Sequence, residues 1–215
     1  YVVPMMLSLY IHSFISSLTL VLFPLASELK NETERLLRVY TKATKTVGLL
    51  VGFLAMNLIV QSSNFLTLWM DAEFAGKAST ILVIHAIAFS LVAMQVVSWQ
   101  MTEGLGYPTY NFKVYFIWII TSVLLMVGLT DSFGNEGIAF ARLFGFAALF
   151  GSVFYVERWI FGKIQIRLWL KIVGILGIAA IASAFAVKFV ISTLGVTWIN
   201  FVVSTLCGGA IYGLV

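Results

Sequence analysis

The sequence predicts an all-α bundle of transmembrane helices, and three observations support that fold class. Seven apolar stretches of membrane-crossing length alternate with short polar loops. Of the 215 residues, 61% are hydrophobic and only 10% are charged, whereas a soluble domain is about one-quarter charged. The basic residues also crowd into alternate loops. Because a bilayer core of about 30 Å needs about 20 apolar residues in helical form, each stretch is predicted to be one crossing.

The seven predicted spans are, in chain order, residues 2–25, 47–70, 80–101, 112–129, 138–156, 172–191 and 198–215. The mean hydropathy of +1.03 agrees with a chain that lies mostly in lipid. The sequence begins without methionine and ends inside an apolar stretch. We therefore expect residues 1–215 to be one transmembrane portion of a longer protein.

The loops predict the orientation. Residues 28–46, 102–111 and 157–171, the first, third and fifth connectors, hold ten of the thirteen Lys and Arg residues when Lys113 is counted with the third. Basic loops stay on the cytoplasmic side of a membrane. We predict a multi-pass protein with these three loops in the cytoplasm and residue 1 outside. The cations then face lipid headgroups, and we expect no nucleic-acid partner.

The first predicted span carries a polar stripe. Ser8, His12 and Ser16 recur every four residues and share one helix face. Polar side chains inside a membrane usually face a bundle interior or water, so we predict that these three line a cavity. Pro24, near the inner end, bends or ends the helix. It is predicted to be a hinge, with a simple helix stop as the alternative.

The first connector, residues 28–46, places basic side chains on one helical face. Two interpretations stand: an amphipathic helix lying at the membrane surface, or an ordinary cytoplasmic loop.

In the second span, Asn57 and Gln61 also share a face, and either line the cavity or join helices by hydrogen bonds. Gly48 and Gly52 form a small-residue helix-contact motif, which is a weak signal.

Polar content differs among the remaining spans. The third span has Gln95, Ser98 and Thr102 in its inner half, with His85 near its outer end, predicted to be structural or interfacial. The sixth span has little beyond Ser183. The first three spans are therefore predicted to face a cavity, and the sixth to face lipid.

Arg142 lies about 8 Å into the fifth span, counted from Gly137 at 1.5 Å per residue. Arg142 either snorkels to headgroups or contacts an anion, such as a substrate phosphate.

All nine acidic residues, Glu157 among them, fall in loops or at helix ends. We predict no membrane carboxylate site, no metal or catalytic site, no cofactor and no enzymatic activity in this portion.

Three short motifs resemble those of a known family. They are Phe23–Glu28 after a polar helix, the glycine turn Gly104–Pro108, and Gly134–Ala141 with its paired glycines. Their order and spacing resemble the C-terminal portion of polysaccharide flippases, which serve O-antigen, capsule or exopolysaccharide assembly. This family belongs to the multidrug/oligosaccharidyl-lipid/polysaccharide exporter superfamily.

The resemblance implies one lobe of a two-lobed transporter in the bacterial inner membrane, with the N-terminal lobe of the same chain missing. Its substrate would be undecaprenyl-diphosphate-linked glycan, moved by alternating access. The family's cationic cavity residues could be matched here only by His12 and Arg142. A drug/cation antiporter of the same superfamily is the nearest alternative. A membrane-embedded polysaccharide-assembly enzyme and a purely structural membrane subunit are the others.

Overall fold

The computed structural model describes residues 1–214, and that part of the chain folds into nine α-helices without a strand. The all-α prediction is confirmed. Val215, the last residue of the seventh predicted span, lies outside the described residues. The helices are α1 (Val2–Thr19), α2 (Leu22–Glu28), α3 (Thr33–Val60), α4 (Ser62–Trp69), α5 (Ala72–Gly104), α6 (Pro108–Ala147), α7 (Gly151–Tyr155), α8 (Ile166–Leu194) and α9 (Trp198–Leu214).

Five helical segments are long and apolar enough to cross a membrane: Val2–Glu28, Thr33–Val60, Ala72–Gly104, Pro108–Ile160 and Ile166–Leu194. The fourth includes a 3-10 turn and a π-helical turn on either side of α7. Its 53 residues are about twice the length of one crossing. The 17-residue helix α9 is also apolar but shorter. A helix therefore occupies each of the seven predicted spans.

The helix α6 reverses direction at Gly134, which explains why one segment holds two predicted spans. Gly134 has φ 54° and ψ −131°, a left-handed region that glycine adopts at little cost. Residues on either side of the reversal meet: Tyr110 stacks on Tyr155 with ring centroids 3.9 Å apart, and Trp118 on Phe146 at 5.6 Å. The fourth and fifth predicted spans thus form an antiparallel hairpin.

The helix α5 lies at the centre of the bundle and packs against α1, α2, α3, α4 and α6. Two-thirds of its apolar stretch is buried. We expected the third span to face a cavity, and this expectation is wrong within the described residues. Its polar groups are used between and within helices instead: Ser152 Oγ donates to Gln95 Oε1 (2.8 Å), and Thr102 Oγ1 donates to Ser98 O (2.8 Å).

The peripheral helices expose large apolar side chains. On α8 these include Val173, Ile178, Ile181, Phe185 and Phe189, as predicted for the sixth span. The first half of the α6 hairpin is similar, with almost none of its apolar stretch buried. Apolar surface of this extent is rare on soluble proteins, and a lipid bilayer is the environment that it suits.

The first connector does not form a separate surface helix or a loop. Residues 33–46 are the first half of α3, which continues unbroken through the predicted start of the second span. The extension adds about 21 Å at 1.5 Å per residue. Because Leu36 and Tyr40 are fully buried against the rest of the bundle, this half of α3 is held in line with the membrane half.

The first predicted span consists of two helices, α1 and α2, separated at Leu20 and Val21. Pro24 lies four residues after Leu20. Its ring clashes with the carbonyl of the residue four before it, and it has no N–H to donate there. The break therefore lies where a hinge caused by Pro24 is expected, and the hinge itself stays a prediction.

The three connectors predicted to be cytoplasmic meet at one end of the bundle. A Cβ placed on Gly106 would lie 3.9 Å from Lys30 Nζ, so the first and third connectors lie close together. Tyr40 contacts Phe161 with centroids 5.2 Å apart, which joins the first to the fifth. Contacts at the opposite end pair Tyr1 with His85 and Phe65 with Trp198.

Candidate functional site

A groove runs between α1 and α3, because both helices pack on α5 but make few contacts with each other. One half of it, between residues 7–14 and residues 54–61, is a cavity of about 430 Å³ that α4 and α9 also border. The other half, between residues 18–25 and residues 39–50, is a cavity of about 470 Å³. We call the two cavities together the α1–α3 groove.

The α1–α3 groove is as long as a bilayer core is thick. Its lining on the first span extends from Leu7 to Leu25. At 1.5 Å per residue these 18 steps cover about 27 Å, against about 30 Å for the hydrocarbon core. The two cavities share no lining residue, and placed end to end they cover about the depth of the predicted membrane.

Aromatic side chains form much of the wall in the half near α9. Tyr10 and Phe14 come from α1, Phe65 from α4 and Phe201 from α9. Tyr10 is 70% exposed and Phe14 is 50% exposed, so this side of the groove is open. Sequence analysis considered only polar groups and missed these rings. The available signal was the four-residue spacing of Tyr10 and Phe14 beside the predicted polar stripe.

Asn57 and Gln61 border the groove, and they differ in what their polar atoms do. Gln61 is fully buried: its Nε2 donates to Thr205 Oγ1 (2.7 Å), and its Oε1 accepts from Ser204 Oγ (2.9 Å). Asn57 Nδ2 donates to Phe53 O (2.9 Å), whereas Asn57 Oδ1 has no partner. Gln61 therefore joins α3 to α9, whereas Asn57 Oδ1 is buried beside the groove without a partner.

Lys42 lines the half of the groove near the basic connectors. Its side chain is exposed. The ion pairs among residues 1–214 are Arg35 with Glu32 and Lys77 with Glu73, so no carboxylate lies within 4 Å of the Lys42 ammonium group. This end of the groove carries an uncompensated positive charge.

The predicted stripe on the first helix does not face this groove. Ser8 is fully buried and donates to Pro4 O (2.9 Å), which satisfies its hydroxyl inside the bundle. The expectation that Ser8 lines a cavity is therefore wrong for the described residues. His12 and Ser16 contact each other at 3.4 Å and are half-buried. They lie about half a turn around α1 from the groove, at about 100° per residue.

Arg142 is half-buried and lies outside the groove. Its guanidinium carbon is 5.9 Å from the centre of the Phe89 ring, a cation–π contact. No carboxylate of residues 1–214 pairs with it. The contact with Phe89 turns Arg142 towards α5, and its predicted role as an anion contact stays a prediction.

Glu157 is a buried group that sequence analysis missed. It is fully buried in the π-helical turn Val156–Ile160. Its carboxylate accepts from Tyr40 Oη, Trp169 Nε1 and the Gln165 backbone N–H, each at 2.7 Å. Three donors offset the cost of burying this group. The sequence offered one weak indication of this buried group: Glu157 is the first residue of the fifth connector and the single acidic residue in it.

Comparison of the chain with family models, with curated proteins and with solved structures finds no match. The likeness to polysaccharide flippases accordingly rests on the sequence motifs, and the arguments below rest on the residues and their geometry.

Proposed function

We propose that this chain is the C-terminal lobe of a flippase that carries undecaprenyl-diphosphate-linked glycans across the bacterial inner membrane. The α1–α3 groove is the observation that carries the proposal. It is open, mostly apolar and about as long as the bilayer core is thick. The N-terminal lobe of the same chain would face this groove and close a central cavity.

The composition of the groove suits an amphipathic substrate. Its apolar walls match a polyprenyl chain. Lys42, at the end near the basic connectors, attracts a diphosphate. With these connectors in the cytoplasm, the charge lies on the side where the substrate enters.

The break between α1 and α2 supports alternating access. Leu20 and Val21 keep a right-handed helical backbone, but Pro24 has no N–H to donate to Leu20 O, so the helix is weakened at this junction and can bend there. Pro24 maintains the break. Because α1 and α2 form one wall of the groove, a change of angle here would widen one half of the groove relative to the other.

One observation favours the drug/cation antiporter as a second candidate. An antiporter usually needs a carboxylate within the membrane, and Glu157 is a fully buried carboxylate at the start of the fifth connector, next to the fifth predicted span. However, its carboxylate oxygens are used by three donors, and Glu157 lines neither half of the α1–α3 groove. The flippase therefore remains the proposal that the groove supports best.

Cysteine accessibility in the full-length protein tests the proposal. In a Cys207→Ala background, Asn57→Cys should react with a membrane-impermeant thiol reagent, and a supply of lipid-linked glycan should suppress that reaction. Ile178→Cys, on the lipid-facing side of α8, is the control and should not react. The variants His12→Cys and Arg142→Cys show whether the cavity extends beyond the groove.

The result that contradicts the proposal is equally specific. If Asn57→Cys is unreactive, or reacts equally with and without glycan, the groove does not hold the substrate. Suppression by a cationic drug, but not by glycan, would favour the antiporter.

A further inference from the structure

A second, smaller groove lies where α8 crosses α3. A Cβ placed on Gly48 would lie 3.1 Å from Ile172 Cγ2, so the two helices are in close contact there. Beside the contact is a cavity of about 110 Å³, which we call the α3–α8 groove. It is lined by Lys45, Leu49, Leu168, Lys171, Ile172, Ile175 and Leu176.

The two lysines lie at one mouth of the α3–α8 groove. Lys45 comes three residues before Gly48 on α3, and Lys171 comes directly before Ile172 on α8. Since Gly48 and Ile172 touch, the two lysines sit at nearly the same height, about one turn or less from the contact. Both helices begin at the end of the bundle that holds the basic connectors.

Neither lysine has a neutralising partner in the part of the chain described by the structure. The ion pairs there involve Arg35 and Lys77 only. Lys45 and Lys171 are both exposed and line one small groove. Two like charges held at the same mouth repel each other, and an anion between them removes that cost.

The remaining walls are apolar, and apart from Leu168 they lie deeper than the lysines. Leu49 follows Lys45 by one helical turn, and Ile175 and Leu176 follow Lys171 by a turn or slightly more. The groove thus offers charge at the predicted headgroup level and apolar surface at the level of the acyl chains. A soluble phosphate would use only the charge of the lysines, whereas a phospholipid uses both the charge and the apolar surface.

We propose that the α3–α8 groove binds one anionic phospholipid of the cytoplasmic leaflet. The lipid phosphate lies between the ammonium groups of Lys45 and Lys171, and one acyl chain lies along Leu49 and Leu176. Such a lipid contacts α3 and α8 at once and fastens the peripheral pair α8–α9 to the bundle. This inference concerns the face away from α1 and does not depend on the proposed function.

Native mass spectrometry of the full-length protein tests the proposal. The protein is titrated with phosphatidylglycerol and with phosphatidylcholine of the same acyl chains. The wild type should bind one phosphatidylglycerol more tightly than it binds phosphatidylcholine. The variant K45Q/K171Q should bind phosphatidylglycerol about thirtyfold more weakly, at about fivefold for each lysine near a headgroup, with little change for phosphatidylcholine.

The matched control is K113Q/K163Q, which removes two exposed cations from the same end of the bundle but outside the groove. It should keep the preference for phosphatidylglycerol. A second variant, Leu49→Phe, fills the groove without changing its charge. It should weaken the binding of both phosphatidylglycerol and phosphatidylcholine. The proposal is overturned if K45Q/K171Q binds phosphatidylglycerol as the wild type does. It is also overturned if K113Q/K163Q loses as much affinity for phosphatidylglycerol as K45Q/K171Q does. The lipid would then be attracted by the positive charge of this end as a whole and not by the groove.

Discussion

Individual polar side chains hold the helices of this bundle together. Gln61 accepts from Ser204 and donates to Thr205, 143 and 144 residues away in the chain. Tyr40 donates to Glu157 across 117 residues. Hydrogen bonds between membrane helices stabilise by about 0.6 kcal/mol on average and by up to about 2. A charged acceptor strengthens such a bond, which sets the Glu157 cluster apart.

Tyr40→Phe removes one of the three donors to the Glu157 carboxylate and leaves the ring in place. We expect the free energy of unfolding to fall by about 1.5–3 kcal/mol, the range for hydrogen bonds to charged groups. Equilibrium unfolding of the purified protein in mixed detergent measures the change. Tyr115→Phe is the matched control, because that residue is 45% exposed. Equal effects of both variants would show that the hydroxyl of Tyr40 contributes nothing specific.

At the scale of the elements, two glycines set the approach of α8 to α3. Gly48 faces Ile172, and Gly52 faces Leu176 and Tyr212. Tyr212 Oη on α9 also donates to Leu49 O (2.9 Å), so α9 joins the same contact. The small-residue motif, a weak signal in the sequence, therefore marks the place where the last two helices dock on the bundle.

Gly52→Val places a branched side chain where Leu176 and Tyr212 already lie. Overpacking of this kind typically costs about 1–3 kcal/mol, and we expect a lower thermal unfolding midpoint together with faster proteolysis between α7 and α8. Gly174→Val, on α8 with open space around its Cβ position, should leave both measurements near the wild-type values. An unchanged unfolding midpoint for Gly52→Val would mean that α8 can move away from α3 without loss of stability.

The whole molecule has two chemically different ends. One end collects the basic connectors around Tyr40 and Phe161, and the other carries the tip of the α6 hairpin and the turn between α8 and α9. The long apolar helices between the two ends suggest a membrane protein. The positive-inside rule then predicts that the basic end faces the cytoplasm.

The predicted orientation is tested by labelling intact cells. In a Cys207→Ala background, Asn135→Cys at the hairpin tip should react with an impermeant maleimide from outside. Asn31→Cys, in the first connector, should react only after the membrane is permeabilised. Both positions are exposed, so a failure to react reports the side of the membrane rather than burial. The reverse pattern would contradict the orientation.

Local sequence patterns were sufficient to predict the helices but not their neighbours. Apolar length predicted helical stretches, since a span must satisfy its own backbone hydrogen bonds, and the described residues of all seven stretches are mainly helical. The place of α5 at the centre was not predictable, because polar residues such as Gln95 look alike whether they face water or Ser152. Nor could spacing reveal that Tyr40 meets Glu157, or that α1 and α3 leave a groove between them.

The reversal at Gly134 also bears on how the chain is made. The two arms of this hairpin contact each other from the Tyr110–Tyr155 stack to the Trp118–Phe146 stack. A nascent chain could therefore insert both arms as a paired unit. Only the short tip then has to cross the bilayer, and its charges, Asp131 and Glu136, are both acidic. Lys and Arg hold a loop in the cytoplasm, whereas Asp and Glu contribute little to orientation, so the charges of this tip do not oppose its passage to the outside.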